Sequence, residues 1–276
     1  MVRATKWDFS KWMQYDMKKR EYLQLFELKF CSQFIQKHPF ALQAYCDRGQ
    51  IYFERKEYSR AIKDYSKALS MAQPDSADFA IADAYSQRAS AYMKLRRYDH
   101  AIRDFKKAVQ LSLKNKEDCS YIYISHLADC YEKAGQYALA IKTFKFLIKK
   151  RETSRENYQL ARIYASCKDV RFRSGIKAVF YAKKALRLEE KRMKENKLKK
   201  RLKKGPPVWN LDVLAAAYAQ AGQFKKAIEI QKEIAAYMRL KYPQRTELIA
   251  ELEHRLKLYM KNVPYIKLTR STASGF

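Results

Sequence analysis

A five-residue pattern recurs along this chain and constrains its fold more than any other feature. In the copy Ala89, Tyr92, Ala101, Phe105 and Ala108, a small residue lies three before a ring, Ala follows nine later, and a ring and a small residue come four and three further on. Gly49, Tyr52, Ala61, Tyr65 and Ala68 repeat it upstream; Ala128, Tyr131, Ala140 and Phe144 repeat it downstream. Steps of three and four keep residues on one helix face. The nine-residue step carries the chain over a turn into a second helix. Each copy therefore encodes a helical hairpin, with small residues where the two helices cross closely.

Five such hairpins follow one another, at 42–73, 82–113, 121–151, 155–190 and 208–240. The fourth is altered. Its Ala arrives 14 residues after Tyr164, at Ala178, and the extra residues fall in Cys167–Gly175. Residues 187–204 then form a basic insertion with ten basic and three acidic residues, ended by Gly205-Pro206-Pro207. Residues 1–38 read as an aromatic-rich helix, with Tyr22, Phe26, Phe30 and Phe34 spaced by four, broken at His38-Pro39. It is expected to cap the first hairpin or to serve as a docking or dimerisation helix. Residues 244–261 read as a C-terminal capping helix carrying Leu248, Leu252, Leu256 and Tyr259. Residues 264–276 read as a flexible tail. Only six Gly and six Pro in 276 residues fit long helices with short connections.

The formal charge is +29, a field that attracts polyanions. Five cysteines without C-x-x-C spacing, and four histidines far apart, argue against a disulfide frame or a metal site. The opening residues lack a signal-peptide core and no apolar run is long enough for a transmembrane helix, so the expected compartment is the cytoplasm. No phosphate loop or nucleophile elbow occurs. The sequence thus implies no catalytic residue, no metal and no cofactor.

The pattern resembles the tetratricopeptide repeat, whose logic is Leu-Gly then Tyr on the first helix and Ala, Phe and Ala on the second. Leu160-Ala161, the Asp169–Gly175 insertion, Ala178-Val179, Trp209, Leu211-Asp212, Leu214 to Tyr218 and the closure from Leu256 to Tyr265 resemble the C-terminal repeats of bacterial members. The departures are intervals of 40, 39, 38 and 49 residues between equivalent alanines, and Gln231 in place of the last ring. The resemblance implies an all-α, right-handed solenoid over 42–240, bounded by the two capping helices.

In such solenoids the first helices line a concave groove. By register the groove residues are Gln43, Cys46, Gln50, Phe53, Ser86, Ser90, Met93, Ser125, Asp129, Tyr158, Arg162, Trp209 and Asp212. A small, polar, mixed-charge floor suits a peptide or helix of a protein partner. The positions at which chaperone-binding members clamp a C-terminal carboxylate carry Cys46, Gln50, Gln87, Ile122 and His126, so heat-shock chaperone tails are not expected ligands. The leading reading is a non-enzymatic interaction scaffold. The alternative is an RNA-binding solenoid, or one attracted to an anionic surface, with a basic ridge on the convex side. Its candidate residues are Arg171, Arg173, Lys197, Lys199, Lys200, Arg201, Lys203 and Lys204.

Overall fold

In the computed structural model the described residues are 9–72, 79–114, 120–195 and 208–266; side chains are described for these except at 9–21, 79 and 193–195. They form twelve α-helices. The helices are α1 (Phe9–Lys37), α2 (Leu42–Glu54), α3 (Tyr58–Met71), α4 (Phe79–Lys94), α5 (Tyr98–Lys114) and α6 (Ser120–Lys133). After these come α7 (Tyr137–Lys150), α8 (Ser154–Ser166), α9 (Gly175–Glu195), α10 (Val208–Gln220), α11 (Phe224–Lys241) and α12 (Thr246–Met260). The chain divides into two compact units within α6: one ends at Cys130 and the other begins at Tyr131. No helix among the described residues is long and apolar enough to cross a membrane.

The hairpin turns share one chemistry. The carbonyls of Tyr52, Tyr92, Tyr131 and Tyr218 accept the N–H groups of Glu57, Arg97, Gln136 and Gln223 at 2.8, 2.9, 2.8 and 2.9 Å. The residue before each donor, Lys56, Arg96, Gly135 or Gly222, takes a left-handed φ of 64°, 58°, 79° or 74°. This is a helix C-cap that satisfies otherwise orphaned carbonyls. In the fourth hairpin the Tyr164 carbonyl is met instead by Ser174, at 2.9 Å. The insertion is thus spliced into the same turn without disturbing its closing bond. Gly175, immediately after, lies so close to the α10–α11 turn that a Cβ there would stand 2.4 Å from the backbone of Ala221.

In the first unit, α2 packs on α3 and α4 on α5, and α3 also packs on α4. Ala61, Tyr65 and Ala68 of α3, and Ala101, Phe105 and Ala108 of α5, are fully buried. A Cβ on Gly49 would stand 2.8 Å from the ring of Tyr65, the close approach that the small-residue position exists to permit. A polar clasp is superimposed on this packing. Arg48 of α2 donates from Nε and Nη2 to Asp64 of α3 at 2.7 and 2.8 Å, and from Nη1 to Ser32 Oγ of α1 at 3.2 Å. Forty residues on, Arg88 repeats this with Asp104 at 2.7 and 2.9 Å and with Ser66 Oγ of α3 at 3.0 Å. The other three hairpins carry Leu127, Leu160 and Leu214 where these arginines stand, and all three leucines are buried.

In the second unit α8 packs on α7, α9 and α10, and α11 packs on α10 and α12. Its last hairpin closes with a polar cluster. Gln231 is fully buried where the other second helices place a ring, and donates to the Leu252 carbonyl at 3.1 Å. Arg255 of α12 pairs with Asp212 of α10 and with Glu251, at 2.6 Å for the latter, beneath the ring of Tyr265.

Candidate functional site

The first-helix positions of the first unit divide by depth. On α2, Gln43 is exposed and donates to Asp47, Gln50 is half-buried between Glu54 and the Tyr65 hydroxyl, and Phe53 is half-buried against the ring of Tyr58. Cys46 lies underneath, in the core with Ile35, Ala44, Tyr45, Ala68 and Ala84. Burial, with help from Asp47 and Asp83, pushes its thiol up to about 12, so it stays protonated and is a poor nucleophile. On α4, Ser86 is buried, Ser90 donates back to the Ser86 carbonyl at 3.0 Å, and Met93 is half-buried. On α6, Ser125 is buried and Asp129 half-buried. The accessible surface is therefore Gln43, Gln50, Phe53, Ser90, Met93 and Asp129; Cys46, Ser86 and Ser125 support it from below.

The second unit builds a defined cleft from the same register. Tyr158 of α8 and Trp209 of α10 line it, with Ser154, Arg155, Glu189 and Asn210, around a volume of about 390 Å³. That is room for one or two side chains of a bound segment. Trp209 is 57% exposed, so its indole is accessible to a bound segment. Burial raises the Tyr158 hydroxyl above its ordinary range, so it remains a neutral donor. Arg162, one turn on, is held by Glu132 and Gln159. Asp212, one turn beyond Trp209, points into the closing cluster with Arg255 rather than into the cleft.

Ser154, Arg155, Glu189 and Asn210 were not among the expected groove residues. Glu189 reaches the cleft because α9 runs on to Glu195, beyond the alanine pattern that ends at Ala185. In an antiparallel hairpin the end of the second helix lies beside the start of the first. Glu189 accordingly accepts from Ser154 Oγ at 2.9 Å, and Lys184 pairs with Glu152 at 2.6 Å. An overlong second helix was the available signal.

The polyanion candidates are placed differently. Arg171 is exposed but pairs with Asp169, with bonds of 2.6 to 3.2 Å. Arg173 is half-buried and donates to the Lys168 carbonyl at 3.4 Å. Phe172 lies against the Tyr137 ring at 5.9 Å. Residues 187–195 continue α9 as helix; Lys197, Lys199, Lys200, Arg201, Lys203 and Lys204 lie outside the described residues, as do 267–276 of the tail. Among the described residues no three His, Cys, Asp or Glu side chains gather as a metal would require.

Residues 42–73 and 82–115 match the tetratricopeptide repeat family model. No curated protein matches the chain. Solved structures share the fold. PilW, a widely conserved type IV pilus biogenesis factor, aligns with a TM-score of 0.61 at 21% identity over 87% of this chain and 94% of that one. The C-terminal part of a repeat protein from Cytophaga hutchinsonii aligns at 0.56 with 17% identity, over 92% and 93%. YrrB, described as a repeat protein with an unusual peptide-binding site, aligns at 0.50 with 16% identity, over 81% and 97%. The all-α, tetratricopeptide-type solenoid architecture is thereby common to this chain and to these proteins.

Proposed function

We propose that this tetratricopeptide-repeat chain is a non-enzymatic scaffold that holds a peptide or helix of a partner protein along the first helices of its hairpins. The observation that carries the reading is the cleft of Tyr158 and Trp209. Two rings line it together with hydroxyl, amide and charged groups, around a volume suited to an anchor side chain. Rings give contact area at low entropic cost, and neighbouring polar groups can meet the backbone of an extended segment. The charge of +29 favours acidic segments through long-range attraction. YrrB, with the same fold, is described by a peptide-binding site. In the first unit the corresponding face is Gln43, Gln50, Phe53, Ser90, Met93 and Asp129.

The test is an array of acidic peptides carrying one aromatic or aliphatic anchor, probed with the wild-type chain and with Trp209→Ala/Tyr158→Ala. Peptides retained by the wild type should bind the variant at least about tenfold more weakly, since a central indole commonly contributes about 2 kcal/mol. Equal retention by both proteins removes the cleft from the binding surface.

A further inference from the structure

Helix α1 stands where the second helix of a preceding hairpin would stand. Its Ser32 hydroxyl accepts from Arg48 as Ser66 of α3 accepts from Arg88. Its Ile35 enters the core beneath α2, with Leu28, Cys31 and Ser32 half-buried beside it. Aligning Ser32 with Ser66 sets Phe30 at the register of Asp64 and Phe34 at that of Ala68. In α3 those two positions face the hairpin's own first helix: Asp64 clasps Arg48 of α2, and Ala68 is fully buried. Along α1 the same side carries Tyr22, Phe26, Phe30 and Phe34, which are 71%, 62%, 62% and 41% exposed. They form a single ridge of four-residue steps, with Phe30 and Phe34 stacked at 6.5 Å and Phe34 against His38 at 4.6 Å. The helix has the position of a second helix in a hairpin, and among the described residues no first helix is paired with it.

We infer that this aromatic ridge is an interface with a second copy of the chain, two α1 helices packing antiparallel across a two-fold axis so that each covers the exposed rings of the other. Three observations favour a second copy. First, at about 200 Å² per ring the exposed fractions leave roughly 500 Å² of apolar surface per copy, counting Leu23 on the same side. Two copies then bury about 1,000 Å², where specific interfaces begin, and one copy alone exposes a patch at the upper end for a monomer. Second, a chain of +29 repels its own copies wherever charged faces meet. Between Tyr22 and Phe34 this side of α1, with Leu23 and Gln33, carries no ionised group, so the rings themselves can meet without opposing like charges; the first charge beyond them on that side is Lys37, in the last turn of the helix. Third, antiparallel neighbours are what a two-fold axis across a helix generates, and what the hairpin geometry leaves room for. A ridge of four-residue steps, inclined to the helix axis, also interdigitates with its equal in the commonest class of helix packing, with the axes crossing at about 50°.

The test is the mass of the full chain in solution by sedimentation equilibrium, in enough salt to screen non-specific attraction, for the wild type and for Phe26→Lys/Phe30→Lys. Both positions are exposed, so the variant should keep the wild-type helical circular dichroism. The wild type should sediment near twice 32.7 kDa and the variant near 32.7 kDa, its dimer dissociation constant raised on the order of a hundredfold. A wild type that stays at 32.7 kDa overturns the inference, and so does a folded variant that remains dimeric. Flotation with phosphatidylglycerol vesicles is the third arm. A monomeric wild type that floats, with a variant that does not, assigns the ridge to a lipid surface and overturns the second copy.

Discussion

Breaking the Arg88–Asp104 clasp from one side should cost far more than replacing it whole. The pair is bidentate, at 2.7 and 2.9 Å, and the side chains are only 18% and 10% exposed. Removing one partner from a fully buried pair costs about 3–5 kcal/mol, because the other charge stays buried and unpaired. Here Arg88 retains the Ser66 hydroxyl and the Tyr85 ring, and its side chain keeps some solvent exposure. The cost of Asp104→Ala is accordingly about 2–3 kcal/mol. Arg88→Leu strands Asp104 and should cost a similar amount. The third hairpin carries Leu127 and Thr143 at the two registers, a combination this chain already uses. The double variant Arg88→Leu/Asp104→Thr should therefore lose only about 1 kcal/mol, a coupling energy of about 3 kcal/mol or more. Urea unfolding followed by circular dichroism measures all four proteins; guanidinium would screen the pair under study. If the double variant is as destabilised as the sum of the single ones, to within about 0.5 kcal/mol, the clasp contributes no pairwise energy and the reasoning fails.

Two further perturbations probe the frame. Gly175→Ala would set a Cβ 2.4 Å from the backbone of Ala221, which cannot yield as a side chain end would; a loss of about 1–3 kcal/mol is expected in urea, and a loss under about 0.5 kcal/mol would show that the approach is not tight. Asp83→Asn tests a buried acid. Burial raises the folded-state pKa of Asp83 against the opposing Gln87 bond, so the folded state is penalised above that pKa and relieved as pH falls through it. The Asn variant should melt higher than wild type near neutral pH, with the difference closing as pH falls into the carboxylate range; a variant that melts lower at neutral pH would mean that the 2.5 Å bond from Gln87 outweighs burial.

The hairpins are legible in the sequence because their spacing follows from steric necessity. Gly49 is small because the ring of Tyr65 leaves no room for a Cβ, and Ala61, Ala89 and Ala101 are fully buried among the rings that fill what remains. Other features had weaker signals. The four-residue aromatic steps of α1 announce a helix, but Leu28, Cys31, Ser32 and Ile35 form a competing inner face, and which face is covered depends on the hydroxyl that reaches Arg48. Asp212 shares a helix with Trp209, yet it is drawn inward by Arg255, which lies 43 residues away and has no periodicity linking it to α10. Glu189 joins the cleft only because a helix overruns its pattern. The clasps were legible in principle, since Arg48 with Asp64 and Arg88 with Asp104 recur forty residues apart, but a search for apolar periodicity passes over charged residues.

The hairpins at the two borders of the repeat array are finished in opposite ways, and this bears on where a further helix can add. Beside the last hairpin, α12 buries Leu252 and Tyr259, and the Leu252 carbonyl takes the amide of Gln231. The amide that replaces the customary ring donates to this carbonyl of α12 and, at 3.4 Å, to Asp212 of α10; a buried amide without acceptors would cost about 1–3 kcal/mol. Arg255 then ties α12 to α10 through Asp212, so the helix that closes this hairpin is bonded to the interior of the repeat it covers. Beside the first hairpin, α1 is tied to α2 by its inner face and leaves rings on the other. A solenoid border needs a polar outer face to stay solvated. Four aromatic residues in line do the reverse, so the open side of α1 is where the repeat packing can be continued by another helix, and the closed side at α12 is not.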